Sequence, residues 1–239
     1  LNQIGAQYGQ EFITRFGFYP DKNPPYLTLA LGAGSVTPLQ MATAYSVFAN
    51  GGYKIRPYII SHITDSDGKI LSQARPEKAG DESNRVIDAR NAFIMDTLLK
   101  DVVRGGTAAR ANILNRPDLA GKTGTTNDSI DAWFAGYQPS LVAVAWLGFD
   151  QPRNMGGRET GSALALPVWI SYMQKALSGI PVEMKSPPAG VIYETEAPPG
   201  KIVTNIGVGQ KDYEKIYETE NNNVKDEIFA DRSSGMLPD

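Results

Sequence analysis

Gly121-Lys122-Thr123-Gly124-Thr125-Thr126 is the stretch that decides the fold of this 239-residue chain. It sets one cationic side chain among hydroxyl residues and glycines. Two strand-like runs follow it, Asp131–Tyr137 and Leu141–Asp150, and a tight turn precedes each of them. Consecutive strands joined by short turns pair as an antiparallel meander. We therefore predict three antiparallel strands, the first of which carries the lysine.

The first strand has the side-chain pattern of a peptide-binding edge. Because side chains alternate along a strand, Lys122, Gly124 and Thr126 face one side, while Thr123 and Thr125 face the other. The free N–H and C=O groups of an edge strand pair with an extended peptide by strand addition. A glycine lets a peptide backbone approach closely, and threonine hydroxyls suit a terminal carboxylate. The pattern predicts a strand that holds a peptide beside a nucleophile.

Helix signals surround these strands. Thr37-Pro38-Leu39-Gln40 has the spacing of a capping box with proline at the first helical position, and this helix is expected to end at Asn50-Gly51-Gly52. Asp88 is expected to cap another helix, which ends at Gly105-Gly106. Further helices are predicted within Leu1–Phe18 and over Pro167–Leu177, and a hairpin over Tyr58–Ile63 and Lys69–Leu71. This order of elements predicts an α+β fold, with an antiparallel sheet flanked by helices.

The composition narrows the chemistry. The formal net charge is −3 and the basic residues form no stripe, so we expect no nucleic acid partner. The absence of cysteine excludes disulfides, thiolate metal sites and cysteine nucleophiles. His62 is the single histidine, so a Ser-His-Asp triad is not expected. Any general acid or base at neutral pH would then be a lysine, a carboxylate or a tyrosine. No apolar run reaches the roughly 18 residues that a membrane-spanning helix needs.

The character of the chain changes after Val182. Proline pairs and an asparagine run break the earlier pattern, and residues 210–232 contain 4 Lys or Arg and 7 Asp or Glu. We predict one portion of a folded domain over residues 1–182 and an acidic, partly ordered extension over residues 183–239. The β-branched runs Gly190–Tyr193 and Lys201–Thr204 are candidate edge strands in this extension.

Several sequence blocks together resemble a known family. The resemblance is to the transpeptidase domain of class A penicillin-binding proteins, and it covers about residues 1–177. Lys-Thr-Gly is the third active-site motif of that group. The blocks that carry the resemblance are Leu29–Gly32, Val36–Leu39, Ala42–Tyr45, Phe48–Gly52, Ala120–Thr126 and Asp131–Tyr137.

The resemblance implies part of a penicillin-binding transpeptidase or serine β-lactamase-like fold, and peptidoglycan D,D-transpeptidation through an acyl-serine intermediate. Lys122 would be the catalytic lysine of the third motif, and the backbone N–H of Thr125 would form half of the oxyanion hole. Thr123 and Thr125 would contact the carboxylate of the donor peptide or of a β-lactam. Gly124 and Thr126 would complete the substrate-binding strand. No metal or organic cofactor is implied.

The same resemblance implies partners and a location. Peptidoglycan stem peptides and β-lactams would be the ligands, and an N-terminal part of the same protein would supply the rest of the active site. The complete protein would be a bifunctional glycosyltransferase and transpeptidase. It would work at the periplasmic face of the bacterial inner membrane, which it would reach only through an upstream anchor.

Two motifs of the family are expected upstream of Leu1. The first is Ser-x-x-Lys, which carries the nucleophile, and the second is Ser-x-Asn. The chain contains no Ser-x-Asn. Ser66-Asp67-Gly68-Lys69 matches the first motif by spelling, but its Asp-Gly pair predicts a hairpin turn instead. We therefore expect the chain by itself to be unable to form an acyl-enzyme.

Some interpretations stay open at this stage. A D,D-carboxypeptidase or a β-lactamase uses the same strand with water as acceptor, and a β-lactam or muropeptide sensor domain uses it without turnover. The loop Asn154–Gly161 is either a plain connector or, as in the family, a border of the substrate cleft. Trp133, Trp146 and Trp169 are predicted to be core residues, and Leu141–Phe149 is predicted to be a strand covered on both faces.

Overall fold

The computed structural model describes residues 1–193 and 206–207. The rest of the predicted acidic extension lies outside the described residues. The helices are α1 (Ala6–Thr14), α2 (Pro38–Ala49), α3 (Ala89–Gly105) and α4 (Leu166–Ala176). The strands are β1 (His62–Thr64), β2 (Ile70–Gln73), β3 (Ala120–Thr125), β4 (Ala132–Gln138), β5 (Leu141–Leu147), β6 (Ile192–Tyr193) and β7 (Ile206–Gly207).

The predicted meander is confirmed. Strands β3, β4 and β5 form an antiparallel sheet in that order, and β1 with β2 and β6 with β7 form two further antiparallel pairs. Helix α4 packs on one face of the meander, where the rings of Phe134 and Trp169 lie 4.8 Å apart. Tyr137 points to the opposite face and packs against Tyr45 of α2 and Leu99 of α3. The architecture is therefore the α+β arrangement expected from the sequence.

The predicted helix caps are present. Thr37 Oγ1 accepts the Gln40 N–H at 3.1 Å, and Gln40 Oε1 accepts the Thr37 N–H at 2.9 Å, which is a complete capping box. Asp88 caps α3 by accepting the Arg90 N–H at 2.8 Å. Helix α3 ends before Gly106, whose position has no room for a side chain because a Cβ there would lie 2.9 Å from the Val102 Cα.

Two predicted elements have different bounds in the structure. The hairpin strand predicted from Tyr58 begins only at His62, because β1 pairs with β2 alone and Ile59 is 94% exposed. The last helix, predicted from Pro167, begins earlier with a π-helical turn over Gly161–Ala165 that runs directly into α4. Proline suggested a helix start, but the cap is supplied upstream by the Thr160 hydroxyl, which accepts the Ala163 N–H at 3.2 Å.

Two of the three tryptophans were wrongly predicted to be core residues. Trp169 is buried, but Trp146 is 36% exposed and Trp133 is half-buried. Trp133 pairs directly with Trp146 across β4 and β5, and alternation places both on the face opposite Phe134. Helices α2 and α3 cover this face around Tyr137, but neither tryptophan belongs to that cluster, and the Trp146 Nε1–H donates to Asp131 Oδ1 at 2.8 Å.

The prediction that β5 is covered on both faces is confirmed in part: Leu141, Ala143 and Leu147 pack toward the Trp169 cluster and Val142 toward the Tyr137 cluster, but only Ala145 of this strand is fully buried.

A buried charge cluster ties the end of the described chain to the domain. Asp96 of α3 is 1% exposed, and it lies 2.7 Å from the Nζ atoms of both Lys100 and Lys185. The Tyr137 hydroxyl donates to the same carboxylate at 2.9 Å, and Lys185 also donates to the Phe48 carbonyl at 2.6 Å. Lys185 thus joins the first residues of the predicted extension to the sheet. The boundary at residue 182 stays a prediction.

None of the helices in the described residues combines the length and apolar character needed to cross a bilayer.

Candidate active site at the edge of the sheet

Strand β3 lies at an edge of the meander. Within the described residues it has β4 on one side and no strand on the other. Thr126, just past its end, donates its N–H to the Asp131 carbonyl at 3.1 Å. Hydrogen-bonded and non-hydrogen-bonded pairs alternate along an antiparallel ladder. Lys122 and Gly124 therefore turn their peptide groups toward β4, while Thr123 and Thr125 turn theirs outward to the free edge.

The ammonium group of Lys122 lies at this outer edge. The side chain is exposed, and its Nζ donates to the outward-facing Thr123 carbonyl at 3.0 Å. The same Nζ lies 3.3 Å from Thr123 Oγ1. The positive charge and the Thr123 hydroxyl are thus held side by side, next to the row of free peptide groups.

The two threonine hydroxyls face the side of the sheet that carries α4. The register pairs Thr123 with Phe134 and Thr125 with Ala132, so these side chains share one face, as alternation predicted. Thr123 Oγ1 lies 2.7 Å from the hydroxyl oxygen of Thr107, which follows α3. Thr125 Oγ1 accepts the Gly161 N–H at 3.0 Å.

Gly124 is packed from both sides of the sheet. A Cβ at this position would lie 3.1 Å from the Trp133 Cβ on one face. On the other face, Gly161 lies so close that a Cβ on it would collide with the backbone oxygens of Gly124 and Trp133. Gly161 therefore lets the start of the π turn rest directly on β3, while Gly124 leaves room for the Trp133 side chain on the opposite face.

Thr126 and the loop at residues 154–161 surround the end of β3. The Thr126 hydroxyl accepts the Asp131 N–H at 2.7 Å and so closes the turn between β3 and β4. The Met155 N–H donates to the Ser129 carbonyl at 3.0 Å, and the Asn154 side chain donates to the Asp128 carbonyl. With Gly161 bonded to Thr125, both ends of the loop are fixed at the end of β3 and the turn that follows it.

Several sequence candidates lie elsewhere. Ser66 and Lys69 occupy the tip of the β1–β2 hairpin, where Asp65 Oδ1 accepts the N–H groups of Asp67 at 3.0 Å and Lys69 at 2.8 Å, as expected for a turn. His62 is exposed on β1. Among the described residues, no group of three His, Cys, Asp or Glu side chains is arranged to hold a metal ion.

Thr107 and Ser162 are site neighbours that the sequence reasoning missed. Thr107 follows Gly106 at the end of α3, and Ser162 follows Gly161 just before α4. The Ser162 Oγ donates to the Thr107 carbonyl at 2.9 Å. In the sequence, Gly105-Gly106 indicates only a helix end, and Asn154–Gly161 indicates only a connector or a border of the substrate cleft. A small residue followed by a hydroxyl residue at such a boundary was the available signal.

The arrangement suits one kind of ligand. An extended peptide can pair with the outward N–H and C=O groups of Thr123 and Thr125 by strand addition. A carboxylate on that peptide would meet an ammonium group and two hydroxyls at the same edge, which are its preferred partners. Two cavities, of about 460 and 510 Å³, are lined by residues outside β3; Lys100 lines the first and Lys185 the second.

The comparison with known proteins decides the family. The sequence model for "Penicillin binding protein transpeptidase domain" matches residues 5–165, more than half of the chain. The chain belongs to the penicillin-binding protein transpeptidase family. Strand β3 and its Lys-Thr-Gly motif lie inside the matched residues, so the edge described above is part of the family's own domain.

Curated relatives of this penicillin-binding transpeptidase chain share one description. It is 45% identical over 227 residues to "Penicillin-binding protein 1A" of Neisseria lactamica, which covers 91% of the chain and 28% of the relative. It is 50% identical over 192 residues to the protein of the same name from Neisseria flavescens, covering 80% of the chain and 24% of the relative. The chain therefore spans about a quarter to a third of the length of the curated relatives it matches.

Solved structures of penicillin-binding proteins have the same fold. Penicillin-binding protein 1A from Haemophilus influenzae matches with a TM-score of 0.74 and 38% identity, over 80% of this chain and 33% of that one. A penicillin-binding protein from Mycobacterium tuberculosis matches with a TM-score of 0.62 and 25% identity, over 77% of this chain and 52% of that one. These matches agree with the α+β penicillin-binding fold expected from the sequence.

Proposed function

We propose that this chain is the C-terminal portion of the transpeptidase domain of a bifunctional, class A penicillin-binding protein. Its reaction is peptidoglycan D,D-transpeptidation, the cross-linking of stem peptides through an acyl-serine intermediate that β-lactams intercept. The observation that carries this proposal is the free edge of β3. There the outward peptide groups of Thr123 and Thr125 lie beside the Lys122 ammonium group.

In this proposal β3 acts as the substrate-binding strand. The donor stem peptide lies along its free edge and pairs with the outward groups of Thr123 and Thr125. The Thr125 N–H points to the carbonyl oxygen of the scissile bond and donates to the oxyanion as it forms. The substrate carboxylate meets the hydroxyls of Thr123 and Thr125. Lys122 supplies the fixed positive charge, and Gly124 and Thr126 keep the strand straight and its turn closed.

The covalent steps need residues outside this chain. A serine hydroxyl supplied by the N-terminal part of the protein attacks the carbonyl carbon, and the terminal D-amino acid leaves with the proton that the serine gives up. An amine of a neighbouring stem peptide then attacks the acyl-serine ester, forms the cross-link and returns a proton to the serine. No metal or organic cofactor takes part in this scheme.

The setting of the enzyme is part of the proposal. The curated relatives are three to four times longer than this chain, which leaves room for a glycosyltransferase domain and a membrane anchor upstream. The domain is expected at the periplasmic face of the inner membrane, the location that the family resemblance implies. Its partners are the stem peptides, β-lactams and the N-terminal part of the same protein.

Acylation of the full-length enzyme by a fluorescent penicillin tests the proposal. Lys122→Ala should slow labelling by about 10²-fold or more, the scale seen when one transition-state contact is removed. Lys175→Ala is the matched control, because this lysine is exposed on α4 and lies outside β3. Lys69→Ala tests the rejected Ser-x-x-Lys match and should label normally. Undiminished labelling of Lys122→Ala would remove the basis of the proposed site.

Product analysis separates the alternatives. With a donor stem peptide and an amine acceptor, a transpeptidase forms a cross-linked dimer. A D,D-carboxypeptidase releases the terminal D-amino acid without forming the dimer, and a β-lactamase hydrolyses the penicillin with turnover. A sensor domain forms a stable acyl adduct and releases no product from the peptide. We expect the dimer.

A further inference from the structure

The hydroxyl groups of β3 are held by residues outside the Lys-Thr-Gly motif. Thr107 Oγ1 lies 2.7 Å from Thr123 Oγ1, and Ser162 Oγ donates to the Thr107 carbonyl at 2.9 Å. The Gly161 N–H donates to Thr125 Oγ1 at 3.0 Å. The end of α3 and the start of the π turn thus meet on the two threonines that the proposed function assigns to carboxylate binding.

The hydrogen bonds that the Thr123 hydroxyl can make depend on whether Thr123 or Thr107 donates the proton in the contact between them. A threonine hydroxyl has one proton and two lone pairs. The Lys122 ammonium group, 3.3 Å away, can only donate, so it takes one lone pair of Thr123. If Thr123 donated to Thr107, no proton would remain for a carboxylate, which accepts and never donates when ionised. If Thr107 donates, both lone pairs are filled and the Thr123 proton points to the open edge.

We infer that Thr107 is a positioning residue that donates its hydroxyl proton to Thr123 and so turns the Thr123 O–H toward the substrate carboxylate. This inference rests on the proposed function. The Thr125 hydroxyl is oriented in a similar way, because its oxygen accepts the Gly161 N–H and its proton stays free to donate to a ligand. The two threonines then present two donors to one carboxylate.

The backbone fixes Thr107 in place for this role. Gly106 has an extended conformation that carries the chain out of α3, and no side chain fits there because a Cβ would lie within 3.3 Å of three Val102 backbone atoms. The next residue, Ala108, is fully buried, and its N–H donates to the Val102 carbonyl at 3.2 Å. Ser162 holds the Thr107 carbonyl from the other side.

Paired β-lactams test this inference in the full-length enzyme. The probes are one penicillin with its free carboxylate and the methyl ester of the same penicillin, and the measurement is the second-order rate constant of acylation. Thr107→Val keeps the shape and removes the donor, so it should lower the rate for the free acid by about 10-fold, as expected for one hydrogen bond to a charged group. The rate for the ester should stay within about 2-fold of wild type, since no charged acceptor is present.

Two further variants provide the controls. Thr107→Ser keeps the hydroxyl and should restore the wild-type ratio of acid to ester rates. Thr107→Ala should repeat the effect of Thr107→Val, so the test does not depend on one variant being folded. Because Thr107 acts through Thr123, adding Thr107→Val to Thr123→Val should cause no further loss.

The outcomes separate the inference from the proposed function. Equal losses for acid and ester would mean that Thr107 only supports the fold, and unchanged rates would mean that it has no part in binding; either result overturns the inference alone. If the wild-type enzyme is acylated by neither probe, or if Lys122→Ala labels normally, the proposed function fails and the inference fails with it.

Discussion

The Gly161 N–H donates a 3.0 Å hydrogen bond to the Thr125 hydroxyl, and this contact joins the start of the π turn to β3, the strand of the candidate active site. It is possible only because Gly161 lacks a side chain: a Cβ would collide with the backbone oxygens of Gly124 and Trp133. The helix that covers one face of the sheet therefore also fixes the geometry at the edge of β3.

Gly161→Ala should disturb both the fold and the site. The added methyl meets rigid backbone instead of a movable side chain, so we expect a loss of about 1–3 kcal/mol, as in other overpacked positions. This corresponds to a fall of roughly 2–12 °C in melting temperature, from about 2–4 °C per kcal/mol for a domain of this size. Acylation by penicillin should slow as Thr125 shifts.

Gly157→Ala is the matched control for this prediction. Gly157 belongs to the same loop, is exposed, and has no atom within 4 Å of the position that a Cβ would take. Melting temperature and acylation rate should stay at their wild-type values. Equal effects from both alanines would contradict the role assigned to the Gly161 contact.

The buried ion pairs of Asp96 with Lys100 and Lys185 are expected to stabilise the fold. Asp96→Asn leaves the ammonium groups of Lys100 and Lys185 buried beside a neutral amide, which should cost about 3–5 kcal/mol, as when one partner of a buried ion pair is removed. Lys185→Met should cost less, because Lys100 remains 2.7 Å from the carboxylate. The measurement is the melting temperature of the full-length protein.

Asp101→Asn provides the comparison for Asp96. Asp101 pairs with Arg104; the Asp101 side chain is 28% exposed and that of Arg104 67%, against 1% for Asp96, and pairs open to solvent contribute about 0–1 kcal/mol. A fall in melting temperature as large as that of Asp96→Asn would show that charge removal on α3, and not burial, causes the effect.

The folded state is expected to lose stability in acid because of Asp118, which is fully buried. Burial by itself would raise the pKa of this carboxyl group, but hydrogen bonds from Arg116 at 2.7 and 3.0 Å and from the Glu183 N–H at 3.0 Å outweigh it and hold the pKa below its ordinary value. The unfolded chain therefore binds this proton more tightly. The stability that Asp118 contributes is complete above the unfolded pKa of about 3.9 and is lost as the pH falls through the lower, folded value.

Melting temperatures between about pH 2 and pH 7, a range that spans the unfolded carboxyl pKa, test this point. Asp118→Asn should lower the melting temperature at neutral pH and should make its decline below about pH 4 shallower than in the wild type. Parallel curves for the two proteins would show that Asp118 does not carry the acid sensitivity.

The sequence predicted the local parts of the fold well. The capping box at Thr37, the cap at Asp88 and the three strands of the meander depend on neighbours within a few residues, and such signals are visible in a linear pattern. The position of the Lys-Thr-Gly motif at a sheet edge was also predicted, from its resemblance to a peptide-binding strand, and the strand order confirms it.

The parts that the sequence did not predict depend on packing between distant segments. Trp133 and Trp146 share a face with Tyr137 but lie outside the cluster that α2 and α3 form around it, and alternation alone does not say how far along a strand a helix covers it. The contact of Thr107 with Thr123 joins residues 16 positions apart, and that of Gly161 with Thr125 joins residues 36 positions apart. Glycine and hydroxyl residues at helix ends have many possible uses, so their partners appear only in the folded structure.

A crystal structure of the full-length enzyme acylated by a β-lactam that carries a stem-peptide side chain tests the central claim most directly. The account predicts an extended peptide along the free edge of β3, with the acyl carbonyl oxygen about 2.7–3.1 Å from the Thr125 nitrogen and the ligand carboxylate at the Thr123 and Thr125 hydroxyls. A ligand bound with its peptide away from this edge, and with the Thr125 N–H directed to no ligand atom, would contradict it.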